Sequence, residues 1–533
     1  MALPVVSGIS GSDSRRGTLQ GISVQTPLGK DAFVVTSFEY SEELGQLFEL
    51  VVELESPNAD IDPATLVGKQ FTVSLQLPGG GPRHFNAFMQ RFTRASHGGP
   101  FTSYRAVGIP WFGMLEFAEN CQIFENINCC ELVEQVFGEF DFATYQLLSF
   151  CPKTKWETHT QYRESTFNFM QRSLQEQGSY YFWTHDDESH TLKLCDNISN
   201  HAVFPGYDQI PFRQNERGQQ AEEHIHDWGY DAELQPTAVV LKDYNYNDPT
   251  MTLRQTESAQ HPYGPSSLKL FDYPGLFQQS SDGERYARVR IEARECRQRV
   301  FHGRAQCLGL AAGCVFSLTD SPVAAENRQY LTTSMRLSAG RWSAESAGQG
   351  GSAAGDHPKD GCWYACEFTA IPSDVQYRAR FSARVPHVTG LQPAFVYAPD
   401  GQDPKVPYTD SLGRVQVTFP WGTGKTQTAW VRKTQMMAGN GWGHVHLPRA
   451  GDEVLVGFEH GNVDRPVVVG CLYNGNTKPP LPLPEAAHIL VFKDQGGNLL
   501  TLNPQEDEQT ITLSSPVAET SLTLGRGTAN PGA

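Results

Sequence analysis

Residues 408–474 constrain the fold more than any other segment, because their hydrophobic residues repeat with the period of β-strands. Val415, Val417 and Phe419 alternate with polar residues, and a continuous apolar run covers 467–469. Gly, Asp, Asn or Pro separates each run from the next, which leaves no room for a helix of ordinary length. About five such strands in under ~100 residues predict a small closed barrel, of which the OB-fold is the commonest kind. A barrel alone does not identify a function.

Length and charge limit the number of domains and the classes of partner. A chain of 533 residues is too long for one core, so we expect about two to four domains. It has 59 acidic against 42 basic residues, a net charge of −17, and this balance disfavours nucleic acid or an anionic membrane as the main partner. Six arginines occur in 285–299, but Glu284, Glu292 and Glu295 interleave with them, which favours a solvent-exposed, ion-paired helix face.

The N-terminus and the cysteines indicate a cytosolic protein. The chain has no apolar run long enough to cross a bilayer as a helix, and its first residues lack the pattern of a Sec signal peptide. We interpret 1–17 as a flexible leader. The 11 cysteines lack the paired spacing of structural zinc sites, and Cys129 and Cys130 are adjacent, which disfavours a bond between them. We expect most cysteines to be small buried residues in a reduced cytosol.

The rest of the chain predicts a mainly β protein with a few helices. We predict strands over 18–26, 33–40, 47–55, 70–77, 84–95, 102–109, 180–184, 191–195, 304–308, 315–318, 330–337 and 363–370. Helices are expected over 130–137, from an N-cap at Ser165 to a C-cap at Gly178, and from a cap at Asp282 to near Val300.

Two changes of composition predict domain boundaries. The first lies near 370–380, and the second is the proline cluster KPPLPLPE at 478–485. The Ser-, Ala- and Gly-rich stretch 343–355 is instead read as a flexible loop, since strands resume after it. Beyond the prolines, short strands are predicted over 489–492, 499–502, 510–513 and 521–524. Strands this short bury little alone and need neighbours, which other chains can supply.

Three short motifs are candidate chemical sites. The stretch WGTGKT at 421–426 resembles a phosphate-binding loop, but Phe419 stands where that loop needs glycine and no helix pattern follows. The cluster HDDESH contains His185, Asp186, Asp187 and His190, yet it falls at a predicted hairpin tip, where polar residues are expected. We therefore favour ordinary polar loops in both places.

Histidines in the predicted barrel gave the third motif. His444 and His446 share one side of a predicted strand and, with His460, could bind a metal, as a metal-dependent hydrolase would require. We favour a polar barrel face over a metal site for these histidines, and no GxSxG elbow is present. We predict no catalytic, cofactor-binding or metal-binding residues and no enzymatic activity.

Longer blocks carry a more specific resemblance. TDSLGRVQVTFPW and GNGWGHVHLPRAGDEVLVGFEHGNVDRPVVVGCLYN resemble the spike domain of the VgrG (TssI) proteins of the type VI secretion system. Upstream, ELGQLFELVVELESPNADIDPATLVGKQFTVSL, CQIFENINCCELVEQVF, QYRESTFNFMQRSLQEQGSYYFWTHDDESHTLKLCD and FDYPGLFQQSSDGERYARVRIEA resemble hub blocks of that family in the same order. The resemblance covers about residues 18–514.

The resemblance implies a homotrimer that seats on the hexameric Hcp tube. It divides the chain into a hub of two tube-like β-barrels with helical insertions at 18–378, an OB-fold barrel at 379–477, and a linker with a short trimeric β-helix or prism stem at 478–533. A PAAR-repeat protein would cap the stem, and effectors with their chaperones or adaptors would bind the spike beside the baseplate proteins. The protein would stay in the bacterial cytoplasm until it is exported whole.

The C-terminal part departs from the family pattern. Only about fifty residues follow the proline cluster, so the needle is short or the sequence is truncated, and 525–533 is expected to be disordered. No appended effector domain is expected. Two alternatives stay open: a phage or tailocin baseplate hub, and an OB-fold module for nucleic acid or sugar, for which Trp421, Trp430 and Trp442 are available but few lysines surround them.

Overall fold

The computed structural model describes residues 17–19, 21–98, 100–148, 153–213, 222–341, 362–421 and 427–525. The chain forms two compact units. The first unit comprises Met1–Glu119, Asn128–Lys155 and Ser165–Val385, and the second comprises Asn120–Ile127, Trp156–Glu164 and Pro386–Ala533. The predicted leader, except Gly17, the predicted loop 343–355 and the predicted disordered end, except Gly525, lie outside the described residues.

The first unit begins with long antiparallel strands. They are β1 (Gly17–Leu19), β2 (Ile22–Gln25), β3 (Val34–Glu43), β4 (Glu49–Ser56), β5 (Gln70–Gln76), β6 (Pro82–Gly98) and β7 (Phe101–Ile109), followed by helix α1 (Trp111–Met114). Alternate side chains of β3 and β4 are buried, Tyr40 and Leu50 completely, as the two-residue period predicts. The single strand predicted over 18–26 is two strands, because the chain leaves the β conformation at Gly21.

Helices and shorter strands fill the next part of the chain. They are β8 (Glu119–Ile127), α2 (Cys129–Phe137), β9 (Tyr145–Leu147), β10 (Trp156–Ser165), α3 (Thr166–Gln177), β11 (Tyr180–His185), β12 (His190–Cys195) and β13 (Gln209–Pro211). The predicted caps of α3 are confirmed: the Ser165 hydroxyl accepts the Asn168 amide at 3.1 Å, and Gly178 ends the helix with a left-handed φ of 81°. The predicted hairpin is also confirmed, as β11 and β12.

The remainder of the first unit adds β14 (His224–Ala232), β15 (Ala238–Asp243), β16 (Leu253–Ser258), β17 (Lys269–Asp272), α4 (Ser280–Glu295), β18 (Arg299–Gln306), β19 (Val315–Thr319), β20 (Gln329–Arg341) and β21 (Cys362–Pro372). Asp282 does not cap α4, because the helix starts earlier and its N-cap is Gln279. Asp282 instead accepts the Thr154 hydroxyl at 2.8 Å. The helix ends at Glu295 rather than near Val300, since the chain enters β18 at Arg299.

One large sheet organises this unit. Its main path is β14-β18-β21-β20-β3-β4-β7-β6-β5-β2, with β1, β13 and β19 attached beside it, which makes thirteen strands. Smaller sheets are formed by β11-β12-β9 and by β16-β15-β17, and α4 packs on the second through Leu241, Phe277 and Ile291. Among the described cysteines, nine are free and Cys130 is disulfide-bonded.

The second unit contains the barrel indicated by 408–474. Its strands are β22 (Gln392–Tyr397), β23 (Gln416–Thr418), β24 (Arg432–Lys433), β25 (Ala438–Gly439), β26 (Trp442–Gly443), β27 (Glu453–Phe458) and β28 (Pro466–Leu472). The five-stranded order is β23-β22-β27-β28-β24, and an antiparallel bridge between Val415 and Val431 joins its two ends. The predicted closed barrel is therefore confirmed, with Val417, Val454 and Val468 among its fully buried residues.

Two earlier segments belong to this unit. The two-stranded sheet of β8 and β10 contributes Ile123 to the barrel core, although both strands precede the barrel by more than two hundred residues. The chain ends in a four-stranded antiparallel sheet of β29 (Leu490–Lys493), β30 (Leu499–Asn503), β31 (Thr510–Ser515) and β32 (Thr520–Gly525), which matches the predicted short strands. None of the helices in the described part of the chain is both long and apolar enough to span a membrane.

Candidate assembly surface

The sheet β29–β32 exposes one apolar face. Its cross-strand pairs align two rows of side chains, and successive side chains of a strand point to opposite faces, so both rows lie on the same face. The rows are Phe492, Leu500, Leu513 and Leu522, and Leu490, Leu502, Ile511 and Leu524. Leu522 is 57% exposed and Leu513 49%, and Leu500 and Leu502 on the inner strand β30 are only partly buried. We call these eight residues the stem face.

The opposite face of the same sheet is mostly polar. Thr501, Thr512 and Thr523 lie opposite one another on β30, β31 and β32, and the hydroxyl oxygens of Thr512 and Thr523 are 3.3 Å apart. A sheet with one apolar and one hydroxyl-rich face is typical of a sheet that packs on one side and meets water on the other. The chain itself leaves the stem face half exposed, so a partner is needed to bury it.

A barrel loop lies beside the stem face. The row from Phe492 to Leu522 and the segment 445–449 line a common cleft of about 880 Å³. Val445 on this segment is 79% exposed, and Trp442 on β26 and Met436 and Met437 just before β25 are exposed as well. Large apolar side chains that cluster at the surface mark a site of association rather than ordinary surface composition.

Charged groups lie at the margin of this cleft. Lys493, Asp494 and Arg449 are among its lining residues. Burial lowers the pKa of the His446 imidazole, and the nearby cations, Lys433 first, act in the same direction, so this histidine is neutral at pH 7. A largely apolar cleft that also carries a few charged groups is suited to packing against protein.

The barrel histidines do not form a metal site in the described residues. The rings of His444 and His446 are 6.4 Å apart, but β26 ends at Gly443, so the prediction that they lie on a strand is wrong. His460 lies in the turn after β27, with a left-handed φ of 54°. Within the described residues, no group of three or more His, Cys, Asp or Glu side chains is placed to hold a metal ion.

The HDDESH cluster is a hairpin turn whose two ends are His190, which is buried, and His185, which is partly buried. Asp186 accepts hydrogen bonds from the Glu188 and Ser189 amides at 3.0 and 2.6 Å, which closes the turn. His185 and His190 lie directly opposite each other where the strands begin. Their bonds are to protein groups of the first unit, as described below, so the interpretation as a polar loop holds for the turn and not for the histidines.

Most of the WGTGKT motif lies outside the described residues. Its first residue, Trp421, stacks on Phe419 with ring centroids 4.8 Å apart and donates to the Gln392 side chain at 2.8 Å. Phe419 thus serves the barrel core at the position where a phosphate loop needs glycine.

The sequence predicted the strands of the stem but not its face. The signal was available in the alternation of Leu490 with Phe492, Ile511 with Leu513, and Leu522 with Leu524. What was missing was the register, because only the pairing of strands places these residues in two rows. The exposed residues in and just before the β25–β26 hairpin were missed because two methionines and a tryptophan within a glycine-rich loop have no periodicity.

Comparison with known proteins agrees with this architecture. Residues 41–342 match the family model of the phage tail baseplate hub (GPD), and residues 404–473 match that of the type VI secretion system/phage-baseplate injector OB domain. Among solved structures, an E. coli component of the type VI secretion system, described as similar to the T4 bacteriophage tail proteins gp27 and gp5, has a TM-score of 0.58 at 19% identity over 85% of this chain and 100% of that one. A chain of the lidded Francisella PdpA–VgrG complex has a TM-score of 0.62 at 8% identity over 95% of this chain and 79% of that one.

Curated relatives are closer in sequence. The type VI secretion system spike protein VgrG1a of Pseudomonas aeruginosa is 33% identical over 87% of this chain, which spans 71% of that protein. VgrG1c of the same organism is 32% identical over 87%, and the chain spans 63% of it. The actin cross-linking toxin VgrG1 of Vibrio cholerae is 26% identical over 93%, and the chain spans 45% of it. Since a hub family model covers more than half of the sequence and a spike protein is one-third identical over most of it, the chain belongs to the VgrG family of type VI secretion system spike proteins.

Proposed function

We propose that this chain acts as a homotrimeric spike of a type VI secretion system, and that the stem face is where its three copies meet. The observation that carries the proposal is the set of eight apolar side chains aligned in two rows and left half exposed by the single chain. Burying a leucine side chain contributes about 1.5–3 kcal/mol, so covering this face on every copy would strongly favour association. Threefold packing leaves the threonine face towards solvent.

Within this trimer the hub would seat on the Hcp tube. We place the hub at 18–378, the OB-fold barrel at 379–477 and the linker with the stem at 478–533. The hub family match and the thirteen-stranded sheet support the first of these assignments, and the injector OB match supports the second. The bounds themselves remain predictions.

The spike would carry cargo rather than catalyse a reaction. A PAAR-repeat protein at the stem tip and effectors with their adaptors are the expected partners, together with the baseplate. The solved Francisella complex pairs a VgrG with PdpA, which supports a role in carrying other proteins. Export from the cytoplasm through the system follows from the same role. The toxin name of the Vibrio relative belongs to a protein of which this chain spans 45%.

Mass measurement on the purified chain tests the trimer directly. Size-exclusion chromatography with light scattering at micromolar concentration should give three times the mass of one chain. A monomer at that concentration would contradict the proposal. Electron microscopy of the same fraction should show a threefold particle with a cup and a central stem, and Hcp added to it should co-elute.

A further inference from the structure

The β11–β12 hairpin is attached to the large sheet and to α1 through two histidines, of which His190 is buried and His185 is partly buried. His185 and His190 face each other across the hairpin at its turn end, and His190 is 1% exposed. The turn between them is fixed by the Thr72 hydroxyl, which donates to the Asp187 carbonyl at 2.8 Å. A polar cleft of about 940 Å³ lies beside this turn, lined in part by Asn86 and Thr72.

The hydrogen bonds of His190 determine where its proton lies. Its Nδ1 is 2.7 Å from the Asn86 side-chain oxygen, and the amide nitrogen of the same Asn86 side chain donates to the Thr72 hydroxyl at 2.9 Å. The Asn86 oxygen therefore accepts, and His190 Nδ1 carries the proton. On the other side of the ring, the backbone N–H of Trp111 donates to Nε2 at 2.8 Å. His190 is thus neutral, with one nitrogen donating and the other accepting.

The same reasoning applies to His185. The Tyr40 hydroxyl donates its proton to the Glu42 carboxylate at 2.9 Å, so it accepts from His185 Nε2, which lies 2.9 Å away. His185 Nδ1 in turn accepts the backbone N–H of Asn86 at 3.2 Å. Both histidines therefore use an unprotonated ring nitrogen to hold a backbone amide from another element, β6 in one case and the start of α1 in the other.

A second proton affects the two rings differently. On His190 it would place an N–H group against the Trp111 N–H at 2.8 Å, with no acceptor between them. On His185 the new donor could turn to the Asn86 carbonyl, 3.2 Å from Nδ1. His190 is accordingly the ring that cannot take up a proton without losing its hydrogen bond from the Trp111 backbone N–H.

The surrounding groups reinforce this. The titratable and charged groups facing the pair are Tyr40 and Glu42 from β3, Arg83 from β6 and Asp186 from the turn. Burial lowers the pKa of His190 to about 3. Burial also lowers the pKa of His185, with His190 and Arg83 acting in the same direction, while the hydrogen bond to the Asn86 backbone and the Asp186 carboxylate oppose them.

We propose that His190, supported by His185, is a proton-sensitive latch: uptake of a proton by the His190 ring breaks its bond from the Trp111 amide and releases the β11–β12 hairpin from the large sheet and α1. The open hairpin exposes its histidines to water, where both can be protonated. Acidic surroundings therefore loosen the hub with no covalent change. The latch lies inside the first unit and does not depend on the trimer.

Hydrogen–deuterium exchange on the full-length protein tests the latch. The readout is the protection of peptides covering 180–195 and 109–117 at pH 7.5 and pH 5, corrected for the intrinsic pH dependence of exchange. A histidine with an ordinary pKa near 6.5 in the open state and no proton in the closed state makes opening about 30-fold more frequent at pH 5, so the two histidines together raise it by up to about 900-fold. Peptides covering 238–258, on a separate sheet of the same unit, serve as the internal reference and should change little.

Two variants separate the latch from general acid sensitivity. His190→Gln keeps a side chain that can accept the Trp111 amide but takes up no proton, so the pH effect on the hairpin should shrink by about 30-fold, to the share that His185 contributes. His302→Gln, at an exposed histidine on β18 of the same unit, should keep the full effect. Unchanged wild-type protection at pH 5, or equal loss in the hairpin and the reference peptides, would overturn the proposal. So would an undiminished pH effect in a folded His190→Gln protein.

Discussion

Leu522 lies directly opposite Leu513 on the neighbouring strand, and both side chains are about half exposed. They continue a row that runs across all four strands of the terminal sheet to Phe492. Thr523, the next residue along β32, points to the opposite face and lies opposite Thr512. Substitutions at the adjacent residues Leu522 and Thr523 therefore test the two faces of this sheet separately.

Leu522→Asp should weaken the trimer, whereas Thr523→Asp should not. The first change places a carboxylate against the apolar face, at a cost on the order of 3 kcal/mol or more per chain if that face is buried between copies. The second places it towards water on an edge strand. Light scattering across a dilution series gives the trimer fraction of each variant. Equal behaviour of the two variants would show that the stem face is not the contact between copies.

Gly178→Ala should destabilise the first unit more than Gly68→Ala. Both glycines have a left-handed backbone, with φ of 81° and 78°. A Cβ at Gly68 meets nothing within 4 Å, so that variant measures the conformational cost alone, about 1–2 kcal/mol. A Cβ at Gly178 would lie 2.5 Å from the Val289 side chain, which adds an overpacking cost of about 1–3 kcal/mol. Urea unfolding gives the free energy of unfolding of both variants. Equal losses would contradict the predicted clash between the new Cβ at position 178 and the Val289 side chain.

Local signals predicted α3 because everything that defines its ends lies within a few residues. Ser165 and Gly178 carry the hydrogen bond and the backbone angle that start and stop a helix. The cap of α4 was mispredicted for the converse reason. Asp282 has the side chain of an N-cap, but it bonds Thr154, a residue more than a hundred positions away, and the helix begins before it. The sequence offered two locally acceptable N-caps for α4, and the contact of Asp282 with the distant Thr154 decided between them.

Distant contacts also explain what the sequence did not predict about the second unit. Ile123 lies in β8, whose residues ENCQIFENI show no clear alternation, yet its side chain is buried with Val417 and Val456 in the barrel core. The barrel itself was predictable, because its own strands alternate and its turns carry glycine or proline. The recruitment of β8 and β10 was not, because a burial partner three hundred residues away leaves no periodic trace in the local sequence.

Val468→Ala should destabilise the barrel by about 2 kcal/mol, and Val469→Ala should change its stability by less than about 0.5 kcal/mol. The two valines are neighbours on β28, but Val468 is fully buried in the barrel core and Val469 is 39% exposed. The same methyl groups are removed from the same strand, so β-propensity is matched. Thermal unfolding followed by tryptophan fluorescence measures the stability of both variants. Equal losses would contradict the assignment of Val468 to the buried face of β28 and of Val469 to its exposed face.

His201 should make the first unit less stable as pH falls. Its Nδ1 is 2.8 Å from the Gly313 carbonyl, its Nε2 is 2.9 Å from the Tyr180 hydroxyl, and burial lowers its pKa to about 4. A histidine whose pKa is lowered by folding binds fewer protons in the folded state than in the unfolded state. Its contribution to stability is therefore fully present above its ordinary pKa of about 6.5 and is lost as pH falls from there towards about 4.

The expected loss from His201 is about 1.4 kcal/mol for each pH unit below 6.5. His201→Gln removes the titrating group, so the free energy of unfolding of this variant should fall less between pH 7.5 and pH 5 than that of the wild type, by about 2 kcal/mol. The variant is expected to be the less stable protein at pH 7.5, because the bond geometry to Gly313 and Tyr180 is disturbed, and the gap should narrow on acidification. Urea unfolding at the two pH values measures this. A constant gap would mean that His201 takes up its proton as readily in the folded state as in the unfolded chain, and the loss would then have to come from His185 and His190.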